Sequence, residues 1–130
     1  MKNVLIDSSV WINYFRRGES VLAAAVDELL DAGRVVLCGM VELEIIQGLR
    51  QHERQLVESL FQALPYVETT RQDFIAAGNR LAELRQTGIT IPAADGLIAT
   101  LYIRHQLMLF SLDNHFDYLS NLTRYQPSSP

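Results

Sequence analysis

The chain has 130 residues, of which 48% are hydrophobic and 20% charged, and its formal net charge is −4. This length suits one domain whose buried core is large enough to be stable without disulfide bonds or a structural metal ion. The single cysteine, Cys38, excludes an internal disulfide. The negative charge argues against a general nucleic-acid coat protein. We predict one domain over residues 1–125 and a flexible tail over 126–130.

Apolar residues recur with helical spacing in some segments and as short continuous runs in others. In chain order, the first half of the sequence predicts a strand over 2–6. A helix follows, which Ser8 and Ser9 cap at its start and which ends at Gly18. A helix over 21–32, a strand over 34–38 and helices over 40–50 and 51–64 follow. The second half predicts a short strand over 66–68, helices over 71–86 and 93–105, a strand over 106–112, a helical turn over 115–119 and an edge strand over 123–125.

This alternation of strands and helices predicts an α/β fold with a central, mainly parallel sheet of about four to five strands flanked by helices. Ligands of such sheets bind beyond the carboxyl ends of the strands. The apolar start before Asp7 is too short for a secretory signal, and no apolar run approaches a membrane span of about 20 residues. We therefore expect a cytoplasmic protein with no membrane partner.

Two aspartates directly follow apolar strands. Asp7 ends the first predicted strand, and Asp113 ends the last long one. If these strands are parallel neighbours, both carboxylates reach the same edge of the sheet. Each aspartate alone is explained by a turn or cap, but the pair together favours a site.

Asp95 is the only charged residue between Thr90 and Arg104, and it falls in the first turn of a predicted helix. The helix dipole favours an acid there. An acid inside an apolar stretch, however, is either buried with a partner or binds a cation. Glu42 and Glu44 point about 200° apart on one helix, and periodicity does not decide which of them faces the core.

Clustered carboxylates without a Cys–His set suit a hard cation such as Mg²⁺ or Mn²⁺, which prefers oxygen ligands. Such an ion activates water for phosphodiester hydrolysis. Other chemistries fit poorly, because HExxH, Gly-x-Ser-x-Gly and Gly-rich phosphate loops are absent. A phosphatase that uses Asp7 as nucleophile needs an acid at Ser9, and a receiver domain needs a late lysine where only Lys2 occurs.

Four motifs in order resemble those of PIN-domain ribonucleases, and more narrowly of VapC-type toxins of toxin–antitoxin pairs. They are VLIDSSVWI (4–12), EIIQG (44–48), IPAADGLIA (91–99) and FSLDNHF (110–116). The resemblance covers essentially the whole chain and implies a three-layer α/β/α PIN-like fold. It favours Glu44 over Glu42 and implies that Asp7, Glu44, Asp95 and Asp113 are the catalytic, metal-binding acids.

The resemblance also implies Mg²⁺- or Mn²⁺-dependent endoribonuclease activity with a metal-activated water. It implies an RNA substrate, a cognate antitoxin that occludes the active-site groove, a homodimer, and operator DNA bound only through the antitoxin. A non-catalytic PIN-like binding module is the alternative function. Because all four acids are present, this alternative is less favoured.

Several residues have open roles at this point. Ser9 either orients Asp7 or caps a helix, and Asp117 competes with Asp113 for the position of fourth acid. The family pattern has threonine where this chain has Ser111. Three arginines are candidates for binding RNA phosphates: Arg80, Arg85 and Arg104. The alternative is that they only form the solvent-exposed face of a helix.

Overall fold

A computed structural model describes residues 1–16, 18, 20–119 and 123–127. The strands are β1 (Val4–Ile6), β2 (Val35–Cys38), β3 (Tyr66–Val67) and β4 (Met108–Phe110). The helices are α1 (Ser8–Phe15), α2 (Ser20–Asp31), α3 (Gly39–Gln47), α4 (Arg54–Gln62), α5 (Arg71–Gln86) and α6 (Ala93–Arg104). Two 3-10 helices, Gln51–Glu53 and Asn114–Tyr118, complete the described secondary structure.

The four described strands form one parallel sheet in the order β3-β2-β1-β4. Strands β1 and β2 at its centre are completely buried, because helices cover both faces of a parallel sheet. β1 pairs with β4 in the register Val4–Met108 to Ile6–Phe110. The α/β/α prediction is confirmed, and the ends of β1 and β4 lie side by side, as a shared site requires.

Differences from the predicted elements are confined to their ends. The helix predicted over 40–50 stops at Gln47, and the one predicted over 51–64 begins with a 3-10 turn. The predicted edge strand is a single parallel bridge between Arg124 and Leu109. Of the predicted tail, residues 128–130 lie outside the described part of the chain.

The predicted capping role of Ser8 and Ser9 is wrong. Asp7 occupies the N-cap position of α1, and both serines lie inside the first turn. The backbone carbonyl of Asp7 accepts hydrogen bonds from the N–H groups of Val10 and Trp11 at 3.1 and 3.2 Å. Asp7 therefore ends β1 and begins α1, which leaves the two serine hydroxyls free for other contacts.

Aromatic packing joins α1 to α4 over one side of the core. The indole of Trp11, which is fully buried, stacks on Phe15 with ring centroids 5.5 Å apart and meets the edge of Phe61 at 5.3 Å. Buried aromatic pairs contribute about 0.5–1.5 kcal/mol beyond their area. This cluster fixes α1, the helix that Asp7 begins.

No helix in the described part of the chain is long and apolar enough to cross a membrane.

The pair of helices α5 and α6 is fastened at the start of α5. Thr70 and Asp73 form a capping box, in which Asp73 Oδ2 accepts from the Thr70 backbone N–H at 2.8 Å. The buried Asp73 carboxylate also accepts two hydrogen bonds from Arg104, at 2.6 and 2.8 Å. Because this carboxylate carries both the cap and the ion pair, it connects the start of α5 to the end of α6.

We expect Asp73→Asn to lower the free energy of unfolding at pH 7 by about 1–3 kcal/mol, because a charge-assisted, buried contact is lost. The hydrogen bond from Arg104 holds the pKa of Asp73 below its ordinary value. The stabilisation is therefore complete above the unfolded pKa, near ~4, and is lost as pH falls through the lower folded pKa. Urea denaturation of both proteins between pH 7 and 3 measures the difference, which should shrink below about pH 4. Glu83→Gln, on an exposed position of α5, serves as the control, and a loss that is independent of pH would contradict the ion-pair explanation.

Candidate active site

The Asp7 carboxylate is buried and is held by two serine hydroxyls. Its Oδ2 accepts a hydrogen bond from Ser9 at 2.9 Å and another from Ser111 at 2.8 Å. Ser9 Oγ also accepts from the backbone N–H of Leu112 at 3.0 Å. Both donors therefore bind the same carboxylate oxygen, and Oδ1 accepts neither of these bonds. Ser9 orients Asp7, which decides between the two roles that the sequence left open.

Glu44 lies on α3 and is half-buried. Ser8 Oγ donates a hydrogen bond to its Oε1 at 3.3 Å. Burial raises the pKa of Glu44, the negative charge of Asp7 raises it further, and the serine bond opposes both effects. Burial raises the pKa of Tyr66, and the charges of Glu68 and of Glu42, two residues before Glu44, add to that shift. Glu44 is thus the glutamate of this helix that faces the acidic edge.

Asp95 and Asp113 meet around a histidine. Asp95 lies in the first turn of α6 and is buried, whereas Asp113 follows β4 and is about one-third exposed. His115 Nδ1 lies 2.8 Å from Asp95 Oδ2 and 3.0 Å from Asp113 Oδ1. One ligand atom from each of these three residues lies within 4.8 Å of the others. This spacing is compatible with ligands that share one cation.

The four acids influence each other electrostatically. Burial raises the pKa of Asp95, the bond from His115 opposes this shift, and the charges of Asp113 and Asp7 reinforce it. Glu44 in turn has its pKa raised by both Asp7 and Asp95. The hydrogen bond to Asp95 raises the pKa of His115. The sheet edge therefore concentrates negative charge, as the sequence predicted from Asp7, Glu44, Asp95 and Asp113.

Asp117 faces away from this cluster. Its carboxylate is 60% exposed and forms an ion pair with Arg124 at 2.7 Å. Among the described residues, the group with metal-ligand spacing consists of Asp95, Asp113 and His115, so it leaves out Asp117 as well as Asp7 and Glu44. The geometry thus favours Asp113 as the fourth acid.

The three arginines proposed for RNA binding lie on the α5–α6 pair. Arg85 is exposed in the last turn of α5, and Arg80 is half-buried one turn earlier. Arg104 is at the end of α6, about 14 Å along the helix from Asp95, and its guanidinium binds Asp73. Arg104 therefore acts in the fold, which corrects its predicted role as an RNA ligand.

Two site residues were not predicted to act there. His115, to which the sequence patterns assign no role, bridges two of the acids. Ser111 was noted only as a departure from a threonine, yet its hydroxyl holds Asp7 and accepts from the Asp113 N–H at 2.9 Å. The available signal was their position within three residues of Asp113, directly after a strand.

The donor set fits a hard divalent cation. Its four carboxylates supply oxygen ligands, which suit Mg²⁺ or Mn²⁺, and His115 Nδ1 is engaged by two of those carboxylates. Two of the acids have raised pKa values, as expected for carboxylates brought together without a compensating positive charge. A bound cation would neutralise this edge and allow a phosphate group to approach.

The comparisons with known proteins agree with the fold. A family model described as PIN domain matches residues 4–122. Ribonuclease VapC11 of Mycobacterium tuberculosis is 34% identical over 131 residues, which covers 97% of this chain and 98% of that protein. VapC ribonuclease Mb1587 of Mycobacterium bovis has the same identity and coverage.

The solved structure of DNA-bound VapBC from Salmonella typhimurium matches with a TM-score of 0.81 and 18% identity, over 96% of this chain and 98% of that one. At that identity the likeness shows the fold alone. The chain belongs to the PIN-domain family, and its similar relatives there are VapC ribonucleases.

We expect Glu44→Gln to raise the free energy of unfolding of metal-free protein at pH 7 by about 0.5–1 kcal/mol, because it removes a charge that the site disfavours. The raised pKa of Glu44 means that the folded state binds its proton more readily than the unfolded state. The gain should therefore disappear as pH falls towards 4. Thermal unfolding in EDTA measures it, with Glu42→Gln on the same helix as the matched control. An equal gain in both variants would argue against repulsion specific to the site.

Proposed function

We propose that this chain is a divalent-metal-dependent endoribonuclease that acts as the toxin of a type II toxin–antitoxin pair, with its nuclease domain over residues 1–125. The observation that carries the proposal is the gathering of Asp7, Glu44, Asp95 and Asp113 at one sheet edge, two with raised pKa values. The relatives of this chain named VapC ribonucleases support the same activity.

Asp7, Asp95 and Asp113 are the residues that would hold Mg²⁺ or Mn²⁺, with Glu44 completing the set directly or through water. When bound, the ion lowers the pKa of a water and offsets negative charge on the leaving oxygen. Ser9 and Ser111 bind Oδ2 of Asp7, so its other oxygen is free to face the ion. His115 keeps Asp95 and Asp113 together through Nδ1.

The carboxylates also receive the proton of the attacking water. Hydrolysis forms a bond between the water oxygen and phosphorus and breaks the bond from phosphorus to the leaving ribose oxygen. We assign the proton released to Glu44, whose half-buried carboxylate lies at the acidic edge. Ser8 donates to Oε1 of Glu44, and Oε2 is the oxygen proposed to accept the proton.

The RNA backbone would pass along the end of α5. Arg85 lies there, ten residues along the chain from Asp95, and close packing of Leu81 against Gly96 brings the two helices together at this end. Arg80 has its Nε buried without a hydrogen-bond partner among the described residues. Arginine side chains grip phosphate oxygens bidentately, and Arg80 and Arg85 are the proposed phosphate ligands.

The proposed partner is a small antitoxin that covers the acidic groove. Similar folds have been solved as complexes described as DNA-bound VapBC from Salmonella typhimurium and as a toxin–antitoxin complex from Klebsiella pneumoniae. By analogy, this chain would form a homodimer and would reach operator DNA only through the antitoxin. A basic side chain of the antitoxin would complement the negative edge.

The first test is cleavage of a mixed RNA pool by antitoxin-free protein with Mg²⁺ or Mn²⁺, and with EDTA. We expect cleavage with metal only, and a loss of more than about 100-fold in both Asp7→Asn and Asp95→Asn, since each removes a proposed metal ligand. Glu28→Gln, an exposed acid on α2, is the control and should cleave normally. Circular dichroism establishes that each variant is folded.

If folded wild-type protein with metal cut no RNA and bound no Mn²⁺ in calorimetry, the non-catalytic binding module would replace the nuclease proposal. Metal-independent cleavage that survives both aspartate substitutions would instead refute the acidic site. Sequencing of the cut ends identifies the RNA target when cleavage occurs.

A separate prediction concerns Arg85. We expect Arg85→Ala to raise KM for RNA several-fold at unchanged kcat, because a phosphate contact is lost while the acids stay in position. The dependence of log KM on log salt concentration should weaken by about 0.7–1. Arg71→Ala, at the other end of α5 and also exposed, is the matched control. Equal effects of the two variants would point to general charge and not to a defined path.

A further inference from the structure

The segment after the 3-10 helix Asn114–Tyr118 returns to the sheet beside β4. Leu109 N–H donates to the carbonyl of Thr123 at 2.9 Å, and Tyr125 N–H donates to the carbonyl of Leu109 at 2.8 Å. The Tyr125 ring packs on Phe110, with centroids 4.9 Å apart. These contacts hold Arg124, between Thr123 and Tyr125, at the strand that leads into the acidic edge.

The guanidinium of Arg124 contacts the segment 111–117 in three positions. Its Nη2 donates to the backbone carbonyl of Ser111 at 2.8 Å and to that of Asp113 at 3.3 Å. Its Nη1 donates to the Asp117 carboxylate at 2.7 Å. The side chain is only 20% exposed. Because both terminal nitrogens are engaged, Arg124 is poorly suited to bind an RNA phosphate as well.

The two carbonyls belong to residues whose side chains shape the acidic cluster. The Ser111 hydroxyl donates to Asp7 at 2.8 Å and accepts from the N–H of Asp113. The Asp113 carboxylate accepts from the backbone N–H of His115 at 2.9 Å. A single guanidinium therefore restrains the backbone that positions one acid and the serine that orients another.

We propose that Arg124 is a positioning residue for RNA cleavage, whose guanidinium fixes the backbone of residues 111–113 and holds Asp117 outside the acidic cluster. This inference rests on the proposed nuclease function. The geometry requires a planar fork with several donors, which arginine provides and lysine does not. Its positive charge is paired with Asp117, and Arg124→Lys, which keeps that charge, separates the effect of geometry from the effect of charge.

The test compares Arg124→Gln, Arg124→Lys and Asp117→Asn in the full chain. We expect Arg124→Gln to lower kcat for RNA by about 10–100-fold, as removal of a supporting contact around a metal site does, with KM changed less than about threefold. Its affinity for Mn²⁺, measured by calorimetry without RNA, should fall about tenfold or more. Arg124→Lys should recover little of either. Asp117→Asn should stay within about threefold of wild type, because both carbonyl contacts remain.

A further variant, Tyr125→Leu, provides the structural baseline. It loosens the same segment by removing the contact with Phe110 while leaving the guanidinium in place. At a matched loss of Tm, it should lower kcat much less than Arg124→Gln does. If Arg124→Gln does not fold, the activity of Arg124→Lys tests the positioning role instead, because a single ammonium group cannot replace the planar guanidinium and its several donors.

Three results would overturn the proposal. One is a raised KM with unchanged kcat in Arg124→Gln, which is the behaviour of a phosphate ligand. The second is full activity in Arg124→Lys, which would show that charge alone suffices. The third is an equal loss of kcat in Tyr125→Leu, which would show general loosening. If wild-type protein binds Mn²⁺ but cuts no RNA, the nuclease proposal fails separately, and the Mn²⁺ affinities of the variants still decide the role of Arg124.

Discussion

The burial of carboxylates close to one another at one edge of a parallel sheet is the constraint on which the rest of the structure depends. Burial and neighbouring charge raise the pKa values of Glu44 and Asp95. The fold must hold such groups together against both effects. It does so with hydrogen-bond donors that surround the cluster, from Ser8, Ser9, Ser111 and His115. These donors come from α1 and from the segment after β4, so local turns and the pairing of strands both contribute.

Contacts outside the site stabilise the fold. The α5–α6 pair carries a buried carboxylate whose pKa is lowered, in contrast to the acids of the cluster. Asp73 has a capping threonine and a bidentate arginine, so its charge stabilises the fold. The fold therefore lowers the pKa of the aspartate beside the end of α6, Asp73, and raises the pKa of the aspartate in its first turn, Asp95. The difference lies in whether a cation is supplied by the protein itself.

Much of this organisation could be predicted from the sequence. Short apolar runs that end in aspartate located β1, β4 and the acids that follow them, and helical spacing located α5 and α6 closely. Asp95 stood out because no other charge lies near it in the sequence. Prediction failed for contacts between distant segments: Ser111 holds Asp7 across 104 positions, and Arg104 reaches Asp73. Periodicity reports which face of an element is apolar, and it carries no information about which distant group a polar side chain meets.

The sequence by itself determined the α/β class, the order of the elements and the candidate acids Asp7, Asp95 and Asp113, because burial patterns and strand ends are local properties. Only the tertiary structure decided the remaining assignments. It placed Glu44 beside Ser8 at the site, paired Asp117 with Arg124, used Ser9 to orient Asp7, and brought His115 between Asp95 and Asp113. Where the partners lie far apart in the chain, as Ser8 and Glu44 or His115 and Asp95 do, the outcome depends on the pairing of β1 with β4 and on the packing of helices against that pair. Those contacts set distances between residues that no local pattern connects.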